Sequence, residues 1–225
     1  MGEKEDKIKE IVEKYDIDLK KLEQEQLKLA KNISTEDKID FRLADRVAGI
    51  DNIFLKNKII SGIIVMSDGE IVEKEYVQDK VKFPYIPGFR AYRELPTMVA
   101  VLDKLDEKPD LVFIRGHGIL HPRKLGIASH FSLATSVPAV GIADSLLIGE
   151  IEDDTIFLEE SKVGKVIKSK LGAKPIYVSP GNLISVVTAA DIAKKYIKEQ
   201  HKLPEPLRLA KKYTKEIKKE IFKQE

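Results

Sequence analysis

The chain is predicted to be an α/β protein whose mixed central sheet, an antiparallel three-strand meander followed by parallel strands, is flanked by helices on both faces. Three observations predict it. The first half holds three β-rich runs divided by turn signals, the second half alternates short apolar strands with helical segments, and the 225 residues contain no low-complexity linker and no internal repeat. One domain, 1–225, is expected, with amino-terminal helices over 1–32, the sheet core and site over 47–180, and carboxy-terminal helices over 184–225.

Residues 4–31 repeat Leu and Ile at helical spacing between Lys and Glu, which predicts two short helices broken near Asp16 to Asp18 that pack as a cover. Val47 to Leu55, Lys58 to Met66 and Ile71 to Val77 read as strands, joined at Lys56-Asn57 and Ser67-Asp68-Gly69 as hairpins. Arg93 to Leu105 places Leu95, Met98, Val99, Leu102 and Leu105 on one helical face, with Pro96 expected in the first turn. Leu111 to Ile114 and Ala139 to Ile142 are short apolar strands around a helix at Ala128 to Thr135. Strands at Thr155 to Leu158 and Ile176 to Ser179 follow, then helices over Ile184 to Gln200 and Leu207 to Phe222.

Composition narrows the function classes. The absence of cysteine excludes disulfides, thiolate zinc sites and thiol nucleophiles. No apolar run reaches the length of a membrane span, and the charged start Met1 to Lys7 does not resemble a signal peptide. A 34% charged composition without Cys or Trp fits a heat-adapted cytoplasmic protein. The formal charge of +2 is balanced overall, but eleven Lys and Arg face six Asp and Glu from Asp191 onward, a face that can meet a polyanion or simply solvent.

The residues that can carry chemistry gather around Ile114 to His130, directly after an apolar strand. Glycines at 116, 118 and 126 allow close backbone approach, and ligands of α/β sheets bind at the carboxyl ends of strands. His117 and His121 lie four apart, but Gly118 and Pro122 oppose the helix that would aim both at one metal. Arg123 and Lys124 can hold phosphate or stand as an exposed basic pair. Phe83 to Glu94 is a proline-framed loop in which Tyr85 can wedge beside a base or pack in the core. Asp51 interrupts an apolar strand, where a carboxylate is costly unless it is paired or binds a cation. No nucleophile elbow, Walker loop or Rossmann fingerprint is present. What remains is a strand carboxylate, a helix-start carboxylate and a glycine-rich basic loop, the parts of a magnesium-dependent phosphodiester nuclease.

Those residues resemble the endonuclease V family, the repair nucleases acting at inosine in DNA or RNA. The resemblance is carried by Val47-Ala-Gly-Ile-Asp51, Tyr85-Ile-Pro-Gly-Phe89 with Arg93-Glu94, Gly116-His-Gly-Ile-Leu-His-Pro-Arg123, Leu125-Gly-Ile-Ala-Ser-His130, Ser179-Pro-Gly181, and Leu203-Pro-Glu-Pro206 with Arg208, in order from about Gln26 to the last helix. It implies an RNase H-like fold, a Mg²⁺-dependent cut one phosphodiester beyond the lesion, Asp51 and Glu94 as metal carboxylates, and Tyr85 as the wedge replacing a flipped base. It also implies a hypoxanthine pocket lined by Pro87, Gly88, Gly116, Gly118, His121, Gly126 and Leu147.

Three positions depart from the family pattern. Arg115 stands where the family has the aspartate of Asp-Gly-His-Gly, Asp144 where it has a lysine after Gly-Val-Ala, and Asn182 where it has the histidine of Ser-Pro-Gly-His. An inward guanidinium ~4 Å from a divalent ion, at an effective dielectric of ~20, opposes it by roughly 8 kcal/mol. Arg115 and Asp144 are the family's two charges exchanged, so a bidentate salt bridge in the former metal site is expected. Three functions follow from these residues. The first is an inosine-directed nucleic-acid binder with impaired or altered hydrolysis. The second is an active nuclease with Asp144 as substitute metal ligand and Asn182 in place of the histidine. The third is a non-enzymatic partner of an active paralogue.

Overall fold

Residues of the first strand point alternately to two helical layers, and that alternation organises the fold. The structure is a computed structural model describing residues 2–170 and 172–224, so Met1, Leu171 and Glu225 of the expected domain lie outside the described residues. Helices α1 (Gly2–Lys14) and α2 (Leu19–Ala30) precede the meander β1 (Val47–Leu55), β2 (Lys58–Ser67) and β3 (Glu70–Lys80). Then come α3 (Arg90–Leu102), β4 (Leu111–Arg115), α4 (Ile127–Thr135), β5 (Ala139–Ala143), β6 (Glu150–Glu152), β7 (Thr155–Leu158), β8 (Ser161–Ile167), β9 (Ile176–Asn182), α5 (Val186–Tyr196) and α6 (Glu205–Gln224). The strands form one sheet in the order β3-β2-β1-β4-β5-β9-β8-β7-β6.

The fold class is the expected one, with a sharper division inside the sheet. β1, β4 and β5 run parallel, whereas β9 returns antiparallel to β5 and the outer strands continue as antiparallel pairs. Sequence periodicity missed β6 and β8. The first is Glu-Ile-Glu with every residue exposed, and the second carries Gly164 and Lys165, so backbone pairing rather than an apolar pattern holds them. Two helices also differ. α3 starts at Arg90, three residues earlier than expected, which puts Pro96 in the second turn, and α5 is confined by the Ser185 cap, whose hydroxyl accepts from Thr188 N at 3.2 Å, and by extended Ile197.

Along β1, Val47 joins a core with Phe113, Val140, Ile142 and Leu207 under α5 and α6, while Ala48 and Ile50 join one with Met98, Ile114 and Phe131 under α3 and α4. By the same period of two, Asp51 faces α6 and Asn52 faces α3. α6 lies close on the sheet because β1 has no side chain at Gly49, where a Cβ would sit 2.4 Å from Leu207 N. This approach brings the middle of α6 over the carboxyl ends of the parallel strands, where Asp51, Arg115 and Asp144 emerge.

Candidate functional site

Parallel β1, β4 and β5 end side by side, in register Ile50 with Ile114 and Arg115 with Ile142, so Asp51, Arg115 and Asp144 share one sheet edge. Odd-numbered positions of β1 and β4 and even-numbered positions of β5 face α6, which puts all three side chains on that face. Arg115 Nη2 donates to Asp144 Oδ2 at 2.8 Å, and its Nη1 stands 4.0 Å from Asp51 Oδ1. The expected bidentate bridge is not formed. The second Asp144 oxygen accepts from Lys202 Nζ at 2.8 Å, so the carboxylate is shared between two cations.

Asp51 is buried, and its other oxygen accepts from Thr214 Oγ1 of α6 at 3.1 Å. Burial raises its pKa, opposed by the Thr214 hydrogen bond and by Arg115, Lys211 and Arg90. Desolvation also works against ionised Asp144, but the hydrogen bonds from Lys202 and Arg115 outweigh it and its pKa falls. Lys211 of α6 has its pKa lowered by burial and by the like charges of Arg115 and Lys215. On the α3 side, Glu94 is fully engaged. Arg90 donates to both oxygens (2.6 and 2.9 Å), Asn52 Nδ2 donates to Oε2 at 2.7 Å, and Arg90 Nη1 reaches the Arg115 carbonyl at 2.9 Å.

These residues do not fit a divalent cation. Of the carboxylates that could hold Mg²⁺, Glu94 and Asp144 have both oxygens taken by nitrogen donors, and Asp51 lies between a hydroxyl donor and a guanidinium. Among the described residues, no group of three or more His, Cys, Asp or Glu is arranged to hold a metal ion. Arg90, Arg115, Lys202 and Lys211 face Asp51, Glu94 and Asp144, an excess of one positive charge when all are ionised. That balance suits a phosphate better than a cation.

Beside the cluster opens a cleft of about 290 Å³, lined by Tyr85, Pro87, Gly88, Arg90, His117, His121, Gly126, Leu147 and neighbours. It is the size of one small ligand group rather than a large cofactor, which take sites of roughly 300–1,000 Å³. Gly88 has φ +81°, a conformation L side chains resist, and turns the loop so that its carbonyl accepts from Gln26 Nε2 (3.1 Å) and Arg123 Nη2 (3.0 Å). Burial, Arg123 and His117 push the His121 imidazole down to about 4, leaving it neutral at pH 7. His117 is lowered by burial too, against its hydrogen bond to the Ser145 carbonyl at 3.0 Å. Tyr85 and Leu147 stand exposed at the rim, 59% and 50%.

Several expected site residues lie elsewhere. Gly116 and Gly118 sit behind the cleft wall: a Cβ on Gly118 would fall 2.0 Å from Pro180 O, and one on Gly116 2.5 Å from Ile127. Arg123 is not free for phosphate. Its guanidinium stacks 4.6 Å from the Phe89 ring centre and donates to Gln26, Glu23 and Gly88, pinning the loop to α2. Lys124 is exposed at φ 51°. Asn182 ties the chain before β1 to β9, its Oδ1 accepting from Ser34 N at 2.8 Å. Sequence reasoning missed Arg90, Gln26, Lys202 and Lys211. Only Arg90 left a signal, its i,i+4 spacing to Glu94 at a helix start; the others depend on how α2 and α6 dock.

The crystal structure of the endonuclease V from Bacillus subtilis superposes with a TM-score of 0.84 at 27% identity, covering 94% of this chain and 97% of that one. A Ciona intestinalis endonuclease V variant, in complex with a 23-mer DNA containing an inosine followed by a ribo-adenosine, gives a TM-score of 0.81 at 25% identity over 91% of this chain and 100% of that one. The fold is therefore RNase H-like, as in endonuclease V. The endonuclease V family model matches residues 27–212, and the endonuclease V of Thermosipho melanesiensis is 39% identical over 184 residues, 78% of this chain and 81% of the relative. This chain belongs to the endonuclease V family.

Proposed function

We propose that the chain binds DNA or RNA by taking one extruded base, preferentially hypoxanthine, into the cleft rimmed by Tyr85 and Leu147, and that the Arg115 cluster withholds metal-dependent cleavage. The carrying observation is the Arg115 guanidinium, 2.8 Å from Asp144 and 4.0 Å from Asp51, where the family resemblance implies a divalent ion. The Ciona relative crystallised with an inosine-containing DNA supports the choice of base. Tyr85 holds the gap left by the base, and neutral His121, whose Nδ1 accepts from Arg123 N at 3.3 Å, keeps the loop in place beside it without adding charge. Arg115, Lys202 and Lys211 then meet the adjoining phosphodiester directly.

Fluorescence anisotropy with inosine and adenine oligonucleotides in EDTA tests the binding half, with tighter binding of the inosine strand expected. Incubation with Mg²⁺ or Mn²⁺ tests the other half, with no nick expected. A specific nick abolished by Asp51→Ala would overturn the proposal. Exchanging the charges back, as Arg115→Asp with Asp144→Lys and Lys211→Gln, is expected to give a melting temperature that rises with added Mn²⁺, whereas the parent does not respond.

A further inference from the structure

Helix α6 continues beyond the site as a basic strip with an aromatic end. Lys211, Lys215, Lys218 and Phe222 follow at i, i+4, i+7 and i+11, which stacks them on one face of a helix with 3.6 residues per turn. Lys219 flanks that face, while Glu216 and Glu220 turn to the other side and Glu216 pairs with Lys212 at 3.8 Å. Among the described residues no carboxylate lies within ion-pair distance of Lys211, Lys215, Lys218 or Lys219; Lys218 donates to the Phe54 carbonyl at 2.7 Å. Phe222, 63% exposed, stands in a shallow groove of about 400 Å³ formed by Ile53 and the stems of Lys215, Lys218, Lys219 and Lys223. A row of like charges with no carboxylate in ion-pair distance repels itself and gains free energy by meeting a polyanion, and an exposed ring among them offers a face to a base.

The strip has a fixed origin. Lys211 acts on Asp51 and Asp144, and Thr214, one turn on, bonds Asp51. From there Phe222 is about 16 Å along the helix axis at ~1.5 Å per residue, the span of about five nucleotides at ~3.4 Å per step.

We propose that this face of α6 is a backbone track for the strand flanking the base held in the cleft, its lysines meeting successive phosphates and Phe222 stacking on a base about five nucleotides away. The inference rests on the nucleic-acid reading above and adds the length of flank the protein needs.

The test is anisotropy on the full chain in EDTA, with inosine and adenine oligonucleotides carrying flanks of three or ten nucleotides, across a salt series. The long-flank strand is expected to bind more tightly. Lys215→Gln with Lys219→Gln is expected to remove that advantage and lower the log–log salt slope by about two, roughly one per lysine, while leaving the inosine-to-adenine ratio unchanged. Phe222→Ala is expected to cost roughly tenfold on a single-stranded flank, restored by Phe222→Tyr. An unchanged salt slope and flank dependence in the double lysine variant would overturn the track even if inosine preference holds. A wild type without inosine preference, whose salt slope still falls in that variant, sinks the base reading and keeps the track. Wild type that binds no oligonucleotide, or lysine variants that lose only sedimentation with phosphatidylserine vesicles, also overturns it.

Discussion

The cleft and the charged cluster adjoin one another and share Arg90, yet they are built by opposite means. The cleft is shaped by backbone: Gly88 at positive φ, Gly118 against Pro180, and a carbonyl held by Gln26 and Arg123, with histidines that are neutral at pH 7. The cluster is shaped by charge: Asp51 and Asp144 face cations from other segments of the chain, and Glu94 faces Arg90 of its own helix. A site defined by shape can survive substitutions at a neighbouring site defined by charge. With Arg115 between Asp51 and Asp144, the cluster leaves no carboxylate without a cation close by.

Four experiments test that contrast, taken by decreasing magnitude. Gly118→Ala forces a Cβ against the Pro180 backbone, and unfolding in urea should show a loss of about 3 kcal/mol or more. Glu94→Ala strands Arg90 beside Asp51; because the Arg90 side chain is 37% exposed, the loss should be about 3 kcal/mol, the lower end for a broken buried pair.

Third comes pH. His121 has a folded-state pKa of about 4 against an ordinary 6.5, so the unfolded chain takes up the proton first. The stability it contributes is complete above pH 6.5 and is lost as pH falls toward 4. The loss should reach about 2 kcal/mol at pH 5, and His121→Gln should flatten that limb of the stability profile. His117 and His130, also lowered by burial, add to the parent's slope in the same direction. The smallest effect on the fold belongs to Tyr85→Ala. With the ring 59% exposed, the melting temperature should barely move, while inosine binding weakens by about 1–2 kcal/mol.

How legible these features were depended on sequence separation. The helix expected over 93–105 and found over 90–102, and the β1–β2 hairpin, could be read because periodicity and turn residues act within a few positions. Arg115 and Asp144 could be read as complementary charges once their segments were matched to family motifs, but not the manner of their contact. The expected bidentate bridge gave way because Lys202, 58 residues beyond Asp144, claims one carboxylate oxygen. Arg123 looked like a phosphate ligand because nothing local shows that Gln26, 97 residues earlier, takes its Nε hydrogen.

The local sequence thus carries the periods of the helices and of every strand but β6 and β8, the charges available at positions 51, 94, 115 and 144, and the family. Only the tertiary structure decided that β1, β4 and β5 end together, that α6 lies close enough over Gly49 to bring Lys211 and Thr214 to Asp51, and that Gly116 and Gly118 lie behind the cleft rather than in it. The physical reason is range. Backbone preferences are set by near neighbours, whereas the partner of a charge is set by whichever chain segment packs within a few ångströms of it, and that is a property of the whole fold.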